Sequence, residues 1–166
     1  MRVAGVIRDS LVNGEGLRDV LFVQGCPHHC FNCQNPQTWK YDGGTEISTI
    51  DLAEMFKDSP NDITISGGEP FEQWVSVVMF MSNIRTQNPN KQFWIYTGYR
   101  YEEIKWIIED YMPSYLEVIV DGKYIEELKD PNCLYRGSSN QRLIDVPKTI
   151  KEGHIVLWEG KNEAQL

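Results

Sequence analysis

The sequence predicts a single α/β domain built on a mostly parallel sheet. Five short apolar runs are rich in β-branched or aromatic residues, as is typical of strands buried on both faces. Helical patterns lie before and between the middle runs, which favours strand–helix–strand crossovers. The length of 166 residues fits one domain and is too short for an eightfold α/β barrel of about 250 residues.

The predicted strands differ from amphipathic strands in having no polar alternation. They comprise residues 20–23, 63–65, 93–96, 118–120 and a last strand at about 154–158. The well-defined core of the domain is expected at about 19–121.

Three helices are predicted from apolar spacing. Ser48 to Asp51 resembles a capping box, and Leu52, Met55 and Phe56 follow at helical spacing. A second helix has a broad apolar face made by Trp74, Val75, Val78, Met79 and Met81. The third carries Ile104, Ile107 and Ile108.

After Asp121 the periodicity is lost. Residues 122–150 mix charged residues with Gly137 and Pro131, so an irregular wrap-around segment is expected before the last strand. The chain ends in a polar stretch from Gly160 that we expect to fray. No repeat or linker divides the chain, which predicts one domain over 1–166.

Charge and hydropathy exclude several classes of function. The net charge is −8, which argues against a nucleic-acid-binding protein. No apolar run approaches the roughly 18 residues that a membrane span requires. The first ten residues show no apolar core of a secretory signal, so a cytoplasmic protein is expected.

Three of the four cysteines are clustered. Cys26, Cys30 and Cys33 form a C-x3-C-x2-C loop, and Cys133 lies a hundred residues away. Such a loop offers three soft thiolates, which suit an iron–sulfur cluster or zinc. Three thiolates on a 4Fe-4S cluster would leave one iron open for another ligand.

Two other interpretations of the cysteines remain open. A zinc site would add His28, His29 or Cys133 as its fourth ligand, although the usual second pair of knuckle cysteines is missing. Alternatively, the three thiols are unrelated.

Unusual residues follow each of the first four predicted strands. Besides the cysteine loop, they are Ser66-Gly67-Gly68-Glu69-Pro70, Thr97-Gly98-Tyr99 and Asp121-Gly122-Lys123. Ligands of parallel α/β sheets bind outside the carboxyl ends of the strands, so we expect these residues to meet at one edge. Gly67 and Gly68 would allow close backbone approach, and Glu69 could accept from a cationic amine. Asp121 and Lys123 alone could form an ordinary surface turn.

The cysteine loop followed by Gly-Gly-Glu-Pro resembles the radical S-adenosylmethionine superfamily. Most of the chain resembles one of its families, the activating proteins of anaerobic ribonucleoside-triphosphate reductase. The resemblance lies in residues 13–18, 22–26, 33–39, 66–70, 94–99, 121–124 and 136–142. Segment 136–142, Arg-Gly-Ser-Ser-Asn-Gln-Arg, is the most characteristic of the family. Glu15 departs from the family pattern, which often has proline there.

The resemblance implies a truncated α/β barrel, a 4Fe-4S cluster and S-adenosylmethionine. The activity it implies is reductive cleavage of S-adenosylmethionine, with the resulting radical taking hydrogen from a glycine near the C-terminus of the reductase. It implies flavodoxin or ferredoxin as a plausible electron donor.

The resemblance also implies roles for individual residues. Cys26, Cys30 and Cys33 would bind the cluster. Gly67, Gly68 and Glu69 would meet the methionyl amino group, and Phe31 or Asn32 would lie near the adenine. The carboxylate or ribose end would lie among Thr97, Asp121 and Lys123. Segment 136–142 would either touch the cofactor or partner, or form structural turns.

Two other functions are compatible with some of these motifs. One is a small-molecule radical enzyme similar to 7-carboxy-7-deazaguanine synthase, against which segment 136–142 argues. The other is a non-enzymatic iron–sulfur or zinc module, against which the Gly-Gly-Glu-Pro turn argues.

Overall fold

A seven-stranded open sheet forms the centre of the computed structural model, which describes residues 1–160. The strands are β1 (Arg2–Ser10), β2 (Arg18–Val23), β3 (Thr45–Glu46), β4 (Asp62–Gly67), β5 (Phe93–Tyr96), β6 (Leu116–Asp121) and β7 (Arg142–Asp145). The α-helices are α1 (Thr49–Glu54), α2 (Trp74–Gln87), α3 (Tyr101–Tyr111) and α4 (Val146–Glu152). Three short 3-10 helices are Pro36–Thr38, Pro70–Gln73 and Glu126–Leu128. Residues 161–166, most of the predicted polar tail, lie outside the described residues.

The strand order is β3-β1-β2-β4-β5-β6-β7. The four central strands, β2, β4, β5 and β6, run parallel, and they are the first four that the apolar runs predict. Antiparallel pairs flank them, with β1 and β3 on one side and β7 on the other. The α/β class and the parallel centre are therefore confirmed. Within residues 1–160 the sheet has two edges and does not close into a barrel.

The two faces of the sheet pack differently because side chains alternate along a strand. Phe93 and Ile95 belong to the larger core that also contains the buried side chains of α1, α2 and α3. Trp94 faces the other side, where Val118 and Val120 of β6 form a smaller cluster with it. Continuous apolar sequence is thus needed for burial on both faces.

The start of α1 agrees with the sequence. The hydroxyl of Ser48 accepts the N–H of Asp51 at 3.0 Å, which caps the helix. In α3, the predicted Ile104, Ile107 and Ile108 are buried.

The predicted apolar face of α2 is partly wrong. Met81 is buried as expected, but Val75 and Met79 are each 53% exposed. The buried side chains are Val77, Phe80, Met81 and Ile84. This helix carries apolar residues around much of its circumference, so its sequence does not define which side meets the sheet.

The expected last strand at 154–158 is reduced to a single antiparallel bridge. Leu157 makes only an isolated bridge to Ile144, and Trp158 packs its ring against Trp94 at 4.9 Å between centroids. Around this bridge the Asp145 N–H donates to the Val156 carbonyl and the Trp158 N–H donates to the Leu143 carbonyl, each at 2.9 Å, so the run pairs with β7 only briefly and otherwise packs over the sheet. The edge strand is instead β7.

The segment 122–150 is less irregular than predicted, because it contains β7 and most of α4. Asp145 caps α4 by accepting the N–H of Lys148 at 3.0 Å, and Gly153 ends the helix in the left-handed conformation. Strand β1 was not predicted either, since three of its residues are charged and it is half exposed.

Within residues 1–160, none of the helices has the length and apolar character needed to span a bilayer.

Truncating one buried and one exposed isoleucine tests whether the α3 face belongs to the core. Ile108→Ala should lower the free energy of unfolding by about 2–5 kcal/mol, because Ile108 has no exposed surface and its truncation leaves a cavity. Ile50→Ala on α1 removes a side chain that is 69% exposed, and it should change the free energy of unfolding by less than about 0.5 kcal/mol. Urea denaturation measures both, and equal losses would contradict the assigned core.

Candidate metal centre

The three clustered cysteines line one cavity at the carboxyl ends of the parallel strands. Gly67 ends β4, Gly68 follows it, Thr97 follows β5, and these residues line the same cavity. Gly122, after β6, completes the set of predicted segments. The expectation that unusual residues from four strands meet at one sheet edge is thus confirmed.

The cysteine loop is fixed to the segment that follows it. The N–H of Gly25 donates to the Thr38 carbonyl at 2.7 Å, and the N–H of Cys26 donates to the Trp39 carbonyl at 3.1 Å. His29 and Asn32 have φ of 46° and 52°, in the left-handed region that side chains seldom adopt. These sharp turns place three cysteines within eight residues around one space.

Burial and backbone N–H groups shift the pKa values of the thiols in opposite directions. Burial raises the pKa of the Cys26 thiol to about 11, although the backbone N–H of His28 opposes it. Burial likewise raises the pKa of Cys30, although the Tyr124 N–H and the positive charge of Lys123 lower it. Cys33 Sγ accepts the N–H of Asn35 at 3.4 Å. Without a metal, Cys26 and Cys30 are protonated at neutral pH; a metal would displace these protons and bind thiolates.

Glu69 is the most extensively bonded side chain at the site. It is fully buried, and its carboxylate accepts four hydrogen bonds. Oε1 accepts from Phe71 N–H at 3.0 Å and from the Thr97 hydroxyl at 2.8 Å. Oε2 accepts from Gly98 N–H and from His28 Nε2, each at 2.8 Å. These partners join the cysteine loop to the ends of β4 and β5.

His28 fits this arrangement closely. Its side chain is 7% exposed, and its ring lies edge-on to Tyr99 at 4.6 Å between centroids. Gly98 has no side chain at the point of contact, and a β-carbon there would overlap the His28 ring. His28 therefore anchors the cysteine loop through Glu69.

The donor set fits an iron–sulfur cluster better than a single zinc ion. No three His, Cys, Asp or Glu side chains in residues 1–160 converge closely enough to hold one metal ion. His28 is bonded to Glu69, and Cys133 lies beside Asp130 on a neighbouring cavity. Three sulfurs spread around one cavity instead match a cluster whose separate irons each take one thiolate.

One orphaned polar atom supports this fit. The indole N–H of Trp39 is buried without a partner within the described residues, and Trp39 belongs to the cavity wall. Buried donors are normally paired, so an acceptor such as a sulfur is expected nearby when the site is complete.

Four other residues that were predicted at the site do not line the cavity. Phe31 is 72% exposed and Asn32 is also exposed, and neither lines the cavity. Lys123 is exposed and does not line the cavity, although its charge lowers the pKa of the Cys30 thiol. Glu69 lies behind the cavity wall.

Asp121 is buried in an ion-pair network rather than in the cavity. It pairs with Arg142 and, at 3.5 Å, with Arg100. It also accepts the N–H of Tyr101 at 2.8 Å, at the start of α3. Through these bonds Asp121 joins the end of β6 to β7 and to the start of α3.

Sequence reasoning missed several residues of the wall. They are Asn13, Gln34, Asn35, Trp39 and Tyr96, whereas Ser66, Gly137 and Gln141 belong to segments that the sequence had already singled out. All lie within the stretches that carry the family resemblance, which was the available signal.

Comparison with known proteins gives a consistent result. A family model described as a 4Fe-4S single cluster domain matches residues 12–144. The chain is 35% identical over 140 residues to the anaerobic ribonucleoside-triphosphate reductase-activating protein of Escherichia coli K12, covering 79% of this chain and 90% of that protein. Proteins of the same name match from Vibrio cholerae (36%, covering 79% and 89%) and Enterobacteria phage T4 (37%, covering 80% and 86%).

A test of the His28 anchor uses two glycines. Gly98→Ala should push His28 away from Glu69 and lower the free energy of unfolding by about 1–3 kcal/mol, since a buried acceptor loses its donor. Gly5→Ala is the control, because a β-carbon there meets nothing within 4 Å. Urea denaturation compares the two, and a Gly98 variant as stable as the Gly5 variant would contradict the anchor.

Proposed function

Because the chain belongs to the family of anaerobic ribonucleoside-triphosphate reductase-activating proteins, we propose that it generates a glycyl radical on that reductase. The observation that carries the proposal is the convergence of Cys26, Cys30 and Cys33 on one cavity with the Gly67-Gly68 turn. The family model and the named relatives support the same function. The relatives described above favour the activase over a small-molecule radical enzyme.

Cys26, Cys30 and Cys33 would hold a 4Fe-4S cluster, leaving one iron without a cysteine. When bound, such a cluster supplies the electron that cleaves S-adenosylmethionine to methionine and a 5′-deoxyadenosyl radical, which takes a hydrogen atom from glycine. The thiols give up their protons on binding, and Trp39 offers a hydrogen-bond donor in the cavity wall.

The cofactor would lie on the remaining wall of the cavity. Its methionyl end would lie against the wall that Gly67, Gly68 and Thr97 form. Lys123, whose positive charge acts on Cys30, would offset the charge of the cofactor carboxylate. Phe31 or Asn32 would approach the adenine from the rim.

Glu69 would act by position rather than by direct contact. All four of its hydrogen bonds are made within the protein, so it holds His28, Thr97 and Gly98 in place around the cavity. These residues would therefore already be in place before the cofactor binds, so that binding need not order them. Asp121 would support the same edge through Arg142.

The partners we propose are the anaerobic reductase, at a glycine loop near its C-terminus, and a flavodoxin or ferredoxin as electron donor. We further propose that residues 1–166 act as a single domain and that the open sheet is the truncated barrel of radical S-adenosylmethionine enzymes.

Electron paramagnetic resonance tests the function directly. Protein reconstituted anaerobically with iron and sulfide, then reduced, should form 5′-deoxyadenosine from S-adenosylmethionine. Adding the reductase should produce a glycyl radical signal on the reductase. Cofactor cleavage without that signal would contradict the proposed substrate.

Two cysteine variants provide the control. Cys30→Ala should lose the 4Fe-4S absorption and the radical, because it removes a cluster ligand. Cys133→Ala should keep both, since Cys133 lies on the neighbouring cavity. A Cys30→Ala protein with a complete cluster would contradict the ligand assignment.

A further inference from the structure

The neighbouring cavity, on which Cys133 lies, opens into the cysteine cavity. The two cavities share four wall residues, which are Asn13, Gln34, Tyr96 and Gly137. The rest of its wall comes from residues 11–12, in the loop between β1 and β2, and from the loop 131–136 before β7. We call this second cavity the groove. It is continuous with the space in which the three cysteines meet.

The rim of the groove is apolar and exposed. Leu11, Val12 and Leu134 are 68%, 75% and 72% exposed. Among the described residues that line the groove, Arg136 alone is charged, although 24% of the residues in the chain are charged. Apolar side chains grouped on an otherwise polar surface are typical of sites where another protein binds. The rim therefore suits an uncharged peptide segment.

Both walls of the groove are held by the sheet. The Thr64 hydroxyl on β4 donates to the Asn13 carbonyl at 2.6 Å. On the other wall, the Tyr96 hydroxyl on β5 donates to the Tyr135 carbonyl at 2.6 Å, and the Tyr135 ring packs edge-on against Trp94 at 5.6 Å between centroids. Because these loops are already ordered, less conformational entropy is lost when a ligand binds between them.

Two carboxamides lie where the groove meets the cysteine cavity. Asn13 Oδ1 accepts the Ser10 hydroxyl at 2.7 Å, whereas Asn13 Nδ2 makes no hydrogen bond within residues 1–160. The Gln34 side chain is exposed and is likewise without a hydrogen bond in that part of the chain. A carboxamide can both donate to and accept from peptide groups. The junction thus offers partners to the backbone of a bound chain.

We propose that the groove binds the glycine-bearing segment of the anaerobic reductase as an extended chain, with apolar side chains of that segment against Leu11, Val12 and Leu134. This inference rests on the proposed function, in which the radical forms in the cysteine cavity. A glycine within a polypeptide has chain on both sides, so a cavity that admits it must open into a groove. Cys133 also lines the groove, but its thiol donates to Asp130 at 3.6 Å and is not among the proposed contacts.

Photo-crosslinking identifies what binds in the groove. Protein carrying p-benzoylphenylalanine in place of Leu134 is reconstituted, mixed anaerobically with intact reductase, irradiated and digested for mass spectrometry. Crosslinks should fall in the segment around the reductase glycine. The same replacement at Ile50, which is 69% exposed on α1, should give none there. Crosslinks from position 134 only to other parts of the reductase, or only to a second copy of this chain, would overturn the proposal.

Charged substitutions on the rim provide a second measurement. Leu134→Glu introduces a charge that must lose water when an apolar segment binds, so the reductase concentration for half-maximal glycyl radical formation should rise about tenfold or more. Val12→Glu, on the other wall, should have the same effect. Ile50→Glu is the matched control, and its half-maximal concentration should stay at the wild-type value. Iron content per chain is measured in every variant, so that only loaded protein is compared.

The two proposals fail in different ways. If Leu134→Glu and Val12→Glu activate the reductase at the same concentration as Ile50→Glu, the groove is not the binding site, and the activase function is left intact. If the wild-type protein cleaves S-adenosylmethionine but forms no glycyl radical, the proposed function fails and this inference fails with it.

Discussion

A carboxylate without solvent contact must be matched by hydrogen-bond donors, and Glu69 meets this requirement with four. The donors come from the cysteine loop, the end of β5 and the turn after β4. Each segment is therefore held relative to the others by one buried group. Removing a donor would leave charge unpaired in the protein interior, which makes alternative arrangements of the site unfavourable.

The position of the site follows from the parallel centre of the sheet. Four strands end at the same edge, so their following loops converge although they are distant in the sequence. The strands themselves were predictable, since burial on both faces requires a continuous apolar run. β1 and β7 were not, because β1 is half exposed and β7 has only two apolar residues, which lie between charged Arg142 and Asp145.

The proposed ligands are easier to recognise in the sequence than the groups that position them. Cys26, Cys30 and Cys33 are close in sequence, and the glycine turn is equally local. The partners of Glu69 depend on contacts between segments up to 41 residues apart, which no local pattern encodes. For the same reason Asp121 was expected at the cofactor but is buried with Arg142.

The proposed function depends on three thiolates that would hold a 4Fe-4S cluster with one iron left open. Mössbauer spectroscopy of protein reconstituted with ⁵⁷Fe, with and without S-adenosylmethionine, tests it most directly. We expect one cluster per chain, with one iron site changing on addition of S-adenosylmethionine and three remaining as they were. Mononuclear iron, or four iron sites unaffected by S-adenosylmethionine, would contradict it.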